Sequence, residues 1–318
     1  MTVAQLGWLY DRRFLLHDTG PDHVESPQRL TIIRGALEEA GLLKRMAALE
    51  FEAAEPSQIA AVHEPAYVDL VRLACEYGMP FLGSEDTRIS RCSFEAASLA
   101  AGAVIAACAA VLEGRVRRAF CAVRPPGHHA ERDLAGGFCL FNNVAIGAQW
   151  LIDRGACRRI AIVDFDVHHG NGTQHIFEER ADILYISIHE HPGFLYPGTG
   201  YESERGRGAG LGFTLNVPLR PGSGDAEYRD AFERKVLPSL NDYRPDFLLL
   251  SAGFDAAEGE RVAHMQLPPT SFGWMTKRLV EVAAQHCDGR LVSVLEGGYD
   301  PIALGPCVVE HVRALMPA

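Results

Sequence analysis

Seven short runs recur along the chain, and most are apolar from end to end: QLGWLY from Gln5, AFCAV from Ala119, IAIVDFD from Ile160, ILYISIH from Ile183, FTLNVPL from Phe213, DFLLLSAG from Asp246 and LVSVLEGG from Leu291. A strand with one face in water alternates apolar and polar residues. An unbroken apolar run belongs to a strand covered on both faces. Helical patterns fall between many of the runs, over roughly 28–41, 64–78, 92–113, 138–153, 225–241 and 271–286. Strands alternating with helices give an α/β fold, a central mostly parallel sheet flanked by helices.

That pattern also says where a site belongs, because ligands of an open parallel sheet bind beyond the carboxyl ends of its strands. After AFCAV come RPPG and then His128 and His129; after IAIV come Asp164, Asp166, His168 and His169. After LLLSAGF comes Asp255, and after VSVLEGG comes Tyr299. A length of 318 residues suggests about two domains, at roughly 150 residues each. Residues 128–299 must meet at one sheet edge, however, so the expectation is a single catalytic domain over 1–318. The segment 189–212, rich in Gly, Pro and charge, reads as a long functional loop.

Composition narrows the class. Hydrophobic residues make up 47% of the chain, enough for a sizeable core, and the net charge of −11 argues against nucleic-acid binding. Eight cysteines include no CxxC pair, and MTVAQLGWLYDRR holds no apolar run of secretory length. Reduced thiols and a cytoplasmic location are expected. The run LAAGAVIAACAAVL from Leu99 falls short of the ~20 residues that span a membrane, so it reads as a core helix and no membrane association is expected.

The strand-end residues are chemically capable. Asp166 and His168 lie two apart, on one side of an extended segment, and Asp255 on a neighbouring strand could supply a third ligand. Two carboxylates and an imidazole, with one position open, suit a catalytic zinc or ferrous ion. Such an ion lowers the pKa of its water toward ~7 and polarises a carbonyl. His128 and His129 fit acid/base roles, with Asp164 a partner for one and Asn171 for the other. A carboxylate raises a histidine's pKa more than an amide does, so the two would differ. Tyr299 follows Gly297-Gly298, whose freedom lets the loop turn the phenol into a cleft, where it can donate to an oxyanion. Phe138, with Gly137 beside it, and Tyr196 fit the walls of an apolar channel. Cys139 has no base spaced for it and reads as a packed thiol.

Taken together, RPPGHHA, GGFCLFNNVAI, DFDVHHGNGTQ, YPGTG, SAGFDA and LEGGYD resemble the histone deacetylase family, specifically its class II branch and related bacterial amidohydrolases. The match runs in order from about Trp8 to Asp300. The resemblance implies the three-layer arginase/deacetylase fold, with Asp166, His168 and Asp255 as zinc ligands. It implies His129 as the principal base and acid, and His128, bonded to Asp164, as its electrostatic partner. It implies Tyr299 as the group that polarises the acyl carbonyl, Phe138 and Tyr196 as channel walls, and Arg29 in an inner cavity where acetate leaves. A structural potassium ion is implied at Asp164, Asp166, His168 and Ser187.

Three positions depart from common patterns. Asn171 stands where class I has aspartate, Tyr196 where phenylalanine is common, and Val262, counted with the channel, where many relatives carry leucine. Polyamine-specific relatives carry glutamate at this last position, and valine cannot recognise a distant ammonium. The surrounding EGERVAHMQ also lacks the usual Gly-Asp-Pro.

The implied activity is zinc-dependent removal of acetyl or another short acyl group from N-acylated lysine, in a peptide or protein, or from a related small amine. An acetylpolyamine amidohydrolase is the alternative, with Glu85, Asp86, Glu258 and Glu260 as acidic rim residues. A catalytically silent reader of acyl-lysine is disfavoured because every catalytic position holds a competent residue. An arginase-like dimetal site would need more bridging carboxylates. The acyl chain, homo-oligomerisation and the choice between zinc and iron are left open.

Overall fold

The computed structural model describes residues 4–316. Its strands are β1 Ala4–Leu9, β2 Met46–Ala48, β3 Phe81–Leu82, β4 Ser84–Arg88, β5 Val116–Cys121, β6 Ile160–Asp164, β7 Ile183–Glu190, β8 Thr214–Leu219, β9 Phe247–Ala252 and β10 Leu291–Leu295. Its helices are α1 Gln28–Glu39, α2 Pro56–Ile59, α3 Pro65–Glu76, α4 Ser93–Leu112, α5 Asn143–Asp153, α6 Asn171–Phe177, α7 Asp225–Ala231, α8 Leu237–Tyr243, α9 Pro269–His286 and α10 Leu304–Leu315.

Eight strands form one sheet in the order β2-β1-β5-β10-β9-β6-β7-β8. Every neighbouring pair is parallel. Every residue of β6, β7, β9 and β10 is buried, which is why those runs carry no alternation. The covering layers show in consecutive side chains of β5. Cys121 Sγ reaches the Ala103 carbonyl of α4, while the ring of Phe120 packs edge-on against His311 of α10. Adjacent residues of a strand point to opposite faces, so helices lie on both sides of the sheet. α4 is the longest helix here, and its apolar sequence reflects burial on several sides: Leu99, Ala100, Ala103, Val104, Ala107 and Cys108 are all fully buried.

The helix expected over 138–153 starts only at Asn143, because Asn142 caps it by accepting from Ala145 N at 3.1 Å, and residues 136–139 turn tightly before it. The helix expected over 225–241 is broken into α7, a π-helical turn at Phe232–Val236 and α8. The turn ends two residues before Pro238, which has no N–H to offer the carbonyl of Arg234 within it. α10 has no counterpart among the sequence expectations. Its Pro306 lies in the first turn, where proline is tolerated. The segment 189–212 is largely irregular after the end of β7, as expected. All eight cysteines are free thiols.

His311 is fully buried between sheet and helices, with Nδ1 2.6 Å from Thr276 Oγ1 and Nε2 2.9 Å from Ser293 Oγ. Burial drives its pKa down to about 3. An unfolded histidine takes up its proton near pH 6.5, so between those values the unfolded state binds the extra proton. His311 therefore contributes stability above pH 6.5 that is lost as the pH falls. A plot of unfolding free energy against pH between 5 and 6.5 is expected to be shallower in His311→Gln by about 1 kcal/mol per pH unit on average, read by urea titration. Parallel plots would show that His311 is not held neutral.

Candidate functional site

Four neighbouring strands, β5-β10-β9-β6, end at one edge of the sheet, and the chemically capable residues follow them. Asp166 and His168 follow β6, Asp255 follows β9, Tyr299 follows β10, and His128 and His129 follow β5. Asp164 is the last residue of β6, in register with Ser187 of β7 and Ser251 of β9.

Asp166, His168 and Asp255 are all buried, and one ligand atom from each lies within 4.8 Å of the others. His168 Nδ1 is 3.0 Å from Asp166 Oδ1 and 3.2 Å from Asp255 Oδ2. Backbone amides hold the remaining oxygens: Gly297 N donates to Asp166 Oδ2 at 2.8 Å, and Val167 N donates to Asp255 Oδ1 at 3.1 Å. Asp255 Oδ2 is buried yet accepts no hydrogen bond. A buried carboxylate oxygen without a donor is costly, and this one faces the other two ligand atoms. The donor set therefore fits a divalent cation. Close backbone approach makes the nest: a Cβ on Gly253 would collide with the Asp166 carboxylate, and one on Gly297 with both carboxylates.

The electrostatics follow from this crowding. Burial and the neighbouring Asp166 push Asp255 up to about 6. Burial would raise Asp166 too, but His128 and His168 hold it well below the usual carboxylate range. Burial opposes the charged form of His168, yet its contacts with Asp166 and Asp255 carry it up to about 10.

The adjacent histidines are treated differently. Their rings lie 4.0 Å apart between centroids. His128 Nδ1 is 3.0 Å from Asp164 Oδ2, whereas His129 Nδ1 is 2.7 Å from Asn171 Oδ1. Burial works against a charge on either ring, but Asp164 and Asp166 overcome it for His128, whose pKa rises to about 10. His129 has no carboxylate partner; burial and the nearby His128 and His168 send its pKa well below the ordinary imidazole value.

Residues 136–139 form a tight turn closed by Cys139 N to Gly136 O at 2.9 Å, with φ of 53° at Gly137 and 69° at Phe138. Positive φ at both central positions is the type I′ pattern. A Cβ at Gly137 would strike the His129 imidazole, so glycine is required on two grounds. Phe138 meets the left-handed region with a full side chain, a strained choice. Its ring packs edge-on against His23 at 4.8 Å and Tyr299 at 5.7 Å. Tyr196 packs edge-on against His129 at 5.0 Å and is 47% exposed, so it opens to solvent. On its other side Tyr299 meets the Arg29 guanidinium, 4.8 Å above the ring centre. Arg29 is buried; it donates to the Gly298 carbonyl at 2.7 Å and to Glu25 at 3.1 Å. Ser187 is buried, its Oγ 2.8 Å from His189 Nδ1, and Val262 is half-buried in the turns after Asp255. Cys139 is buried, its thiol 3.3 Å from the Gly137 carbonyl, the packed thiol expected.

One expected rim residue is engaged elsewhere. Glu260 Oε2 accepts from the backbone N–H of Tyr299 at 2.7 Å and of Asp300 at 2.9 Å, which ties it to the tyrosine loop. Glu85, Asp86 and Glu258 are exposed.

Several supporting residues were not read from the sequence. Buried Glu296 accepts from Gly127 N at 2.7 Å, His128 N at 3.1 Å and Ser251 Oγ at 3.0 Å, joining the ends of three adjacent strands. Glu25 pairs with Arg124, whose Nη2 lies 2.7 Å from Oε2. Glu131 accepts from Asn171 Nδ2 at 2.6 Å. Glu296 stands inside the LEGGYD stretch and Glu131 directly follows RPPGHHA, which is the only signal the sequence offered for them.

Comparison with known proteins places this arrangement. Residues 23–315 match the family model described as histone deacetylase domain. The chain is 40% identical over 295 residues to a probable deacetylase of Archaeoglobus fulgidus, covering 92% of this chain and 81% of that one. It is 39% identical over 299 residues to a histone deacetylase-like amidohydrolase of Pseudomonas aeruginosa, covering 93% and 78% of the two chains. The crystal structure of the HDA15 HD domain superposes with a TM-score of 0.93 at 36% identity, covering 98% of this chain and 89% of that one.

The glycine nest yields a test. Gly297→Ala is expected to fold, with a cooperative thermal transition, but to weaken zinc binding by more than ten-fold in competition with a chromophoric chelator. Affinity within two-fold of the parent would mean that the carboxylates do not need that close approach.

Proposed function

The chain belongs to the histone deacetylase family, and we propose that it is a zinc-dependent amidohydrolase. Its substrates on this reading are N-acylated lysine side chains or related acylated amines, from which it removes acetyl or another short acyl group. The observation that carries the reading is the buried Asp166–His168–Asp255 cluster beside two histidines held by unlike partners.

When bound by these three residues, the zinc ion polarises the acyl carbonyl and lowers the pKa of water. His129, bonded to an amide rather than a carboxylate, accepts a proton from the attacking water and returns it to the departing amine. His128, paired with Asp164, stays charged beside it and favours the negative charge that develops on the substrate. Tyr299 donates its phenol to the carbonyl oxygen as that oxygen gains charge. Phe138, Gly137, Tyr196 and Val262 flank the slender stem of the substrate. Arg29, stacked on the Tyr299 ring, lines an inner cavity through which acetate leaves. Asp164, Asp166, His168 and Ser187 would hold a structural potassium ion, and ferrous iron is the alternative to zinc. The chain acts as one catalytic domain in the cytoplasm, and its net charge of −11 supports a role without nucleic acid.

Acyl-lysine is favoured over acetylpolyamines by two observations. Val262 brings no charge to the channel, and Glu260 is spent on backbone amides. On zinc-loaded protein, kcat/KM for an acetyl-lysine peptide is expected to exceed that for acetylspermidine by at least ten-fold; the reverse order would reassign the substrate class. Tyr299→Phe should lower kcat by about 100-fold or more, of the order found when an oxyanion donor is removed, with bound zinc unchanged. His129→Ala should nearly abolish turnover, and a mild effect would hand the base role to His128.

A further inference from the structure

His129 can act as a base through Nε2 only if its proton sits on Nδ1. Its Nδ1 partner is the side chain of Asn171, which has a donor end and an acceptor end. If the amide turned over, its NH2 would face Nδ1, the imidazole would move its proton to Nε2, and the lone pair would point away from the substrate. Something must fix which end faces the histidine.

Glu131 does so. Its Oε1 lies 2.6 Å from Asn171 Nδ2 and 2.8 Å from His175 Nδ1, and its side chain is only 19% exposed. A carboxylate only accepts hydrogen bonds, so the amide end that faces it must be the NH2. The Asn171 oxygen is thereby turned toward His129, and an oxygen there requires the proton on Nδ1. The backbone supports the same pose: Asn171 opens α6, and Thr173 N donates to the His128 carbonyl at 3.1 Å, which locks the helix start against the histidine loop. The contact of Asn171 Nδ2 with the His129 carbonyl, at 3.5 Å, is much longer than the one with Glu131.

We infer that Glu131 is a positioning residue that sets the orientation of the Asn171 amide and, through it, the tautomer of His129. This rests on the amidohydrolase reading above, but its first test does not require turnover.

In zinc-loaded protein labelled with 15N-histidine, assigned by comparison with His129→Gln, His129 is expected as the Nδ1–H tautomer. Glu131→Leu removes the acceptor, and a mixture of both tautomers is expected. The kcat should fall by about ten-fold while KM stays within two-fold and zinc stoichiometry is unchanged. The double variant Glu131→Leu/Asn171→Asp keeps the leucine but puts at 171 a carboxylate, which has no donor end to turn toward His129. The Nδ1–H tautomer is expected to return although the leucine remains, which damage to the loop by the leucine would not produce. An unaltered tautomer in Glu131→Leu, or a double variant with the same mixture as that single one, would overturn the inference. Should Glu131→Leu fail to take up zinc, Glu131→Gln is read instead: its amide offers Asn171 both a donor and an acceptor, so a mixture of tautomers is expected, and a wholly Nδ1–H imidazole would overturn the inference. A wild-type protein that cleaves no acylated amine yet shows the tautomer shift would instead sink the amidohydrolase reading and leave the role of Glu131 standing.

Discussion

Two carboxylates, Asp166 and Asp255, are buried side by side beyond the ends of neighbouring strands β6 and β9. Burying one charge is expensive, and burying two of the same sign is more so unless each is compensated. Much of the surrounding detail can be read as that compensation. Backbone amides of Val167, His168 and Gly297 donate to three of the carboxylate oxygens, and the His168 imidazole stands between the two groups. The fourth oxygen, Asp255 Oδ2, is left without a hydrogen bond. Compensation by protein atoms alone is thus incomplete, and a cation bound there would complete it.

The same logic sets the shell around the cluster. The charge on Asp166 is felt by His128, whose Nε2 lies 3.8 Å from Asp166 Oδ1, so one member of the histidine pair is drawn into the ionic network. The other is kept out by pairing with an amide. Glu296 then fixes the loop carrying both, because its two oxygens bridge the start of that loop and Ser251 of β9. Metal-capable residues and histidines are therefore set by one group of strand ends. Rigid elements hold such geometry more tightly than free loops can.

How much of this could be read in advance depended on the range of the interaction. Unbroken apolar runs announced the doubly covered strands, because burial on both faces leaves its mark on every residue. Asp166 and His168 announced themselves through their spacing, and Asp255 through its place at a strand end. Glu131, Glu296, Glu25 and Arg124 could not be read in the same way. Each acts through a contact between residues 40 or more positions apart, as for Glu131 with Asn171 and Arg124 with Glu25. Nothing local distinguishes a buried, paired glutamate from one in water. Glu260 erred in the opposite direction: it looked like a free surface acid because its partners are backbone amides, which are invisible in a string of side chains. Helix α10 lies beyond the last helix expected from the sequence.

The engagement of Glu260 bears on how a protein like this could acquire new specificity. One carboxylate in the turns after Asp255 fastens the peptide groups of Tyr299 and Asp300. Mutational drift in the 255–264 turns is thereby coupled to the order of the tyrosine loop, and a change that recruits a new amine there also disturbs the chemistry. The hairpin of β3 and β4 is tied in as well, but through other groups: the Asp86 carbonyl lies 2.8 Å from His23 Nε2, and Thr87 Oγ1 accepts from Phe138 N at 3.3 Å, while the Glu85 side chain is exposed. Side chains such as Glu85 are where selection can vary recognition at the least expense to turnover.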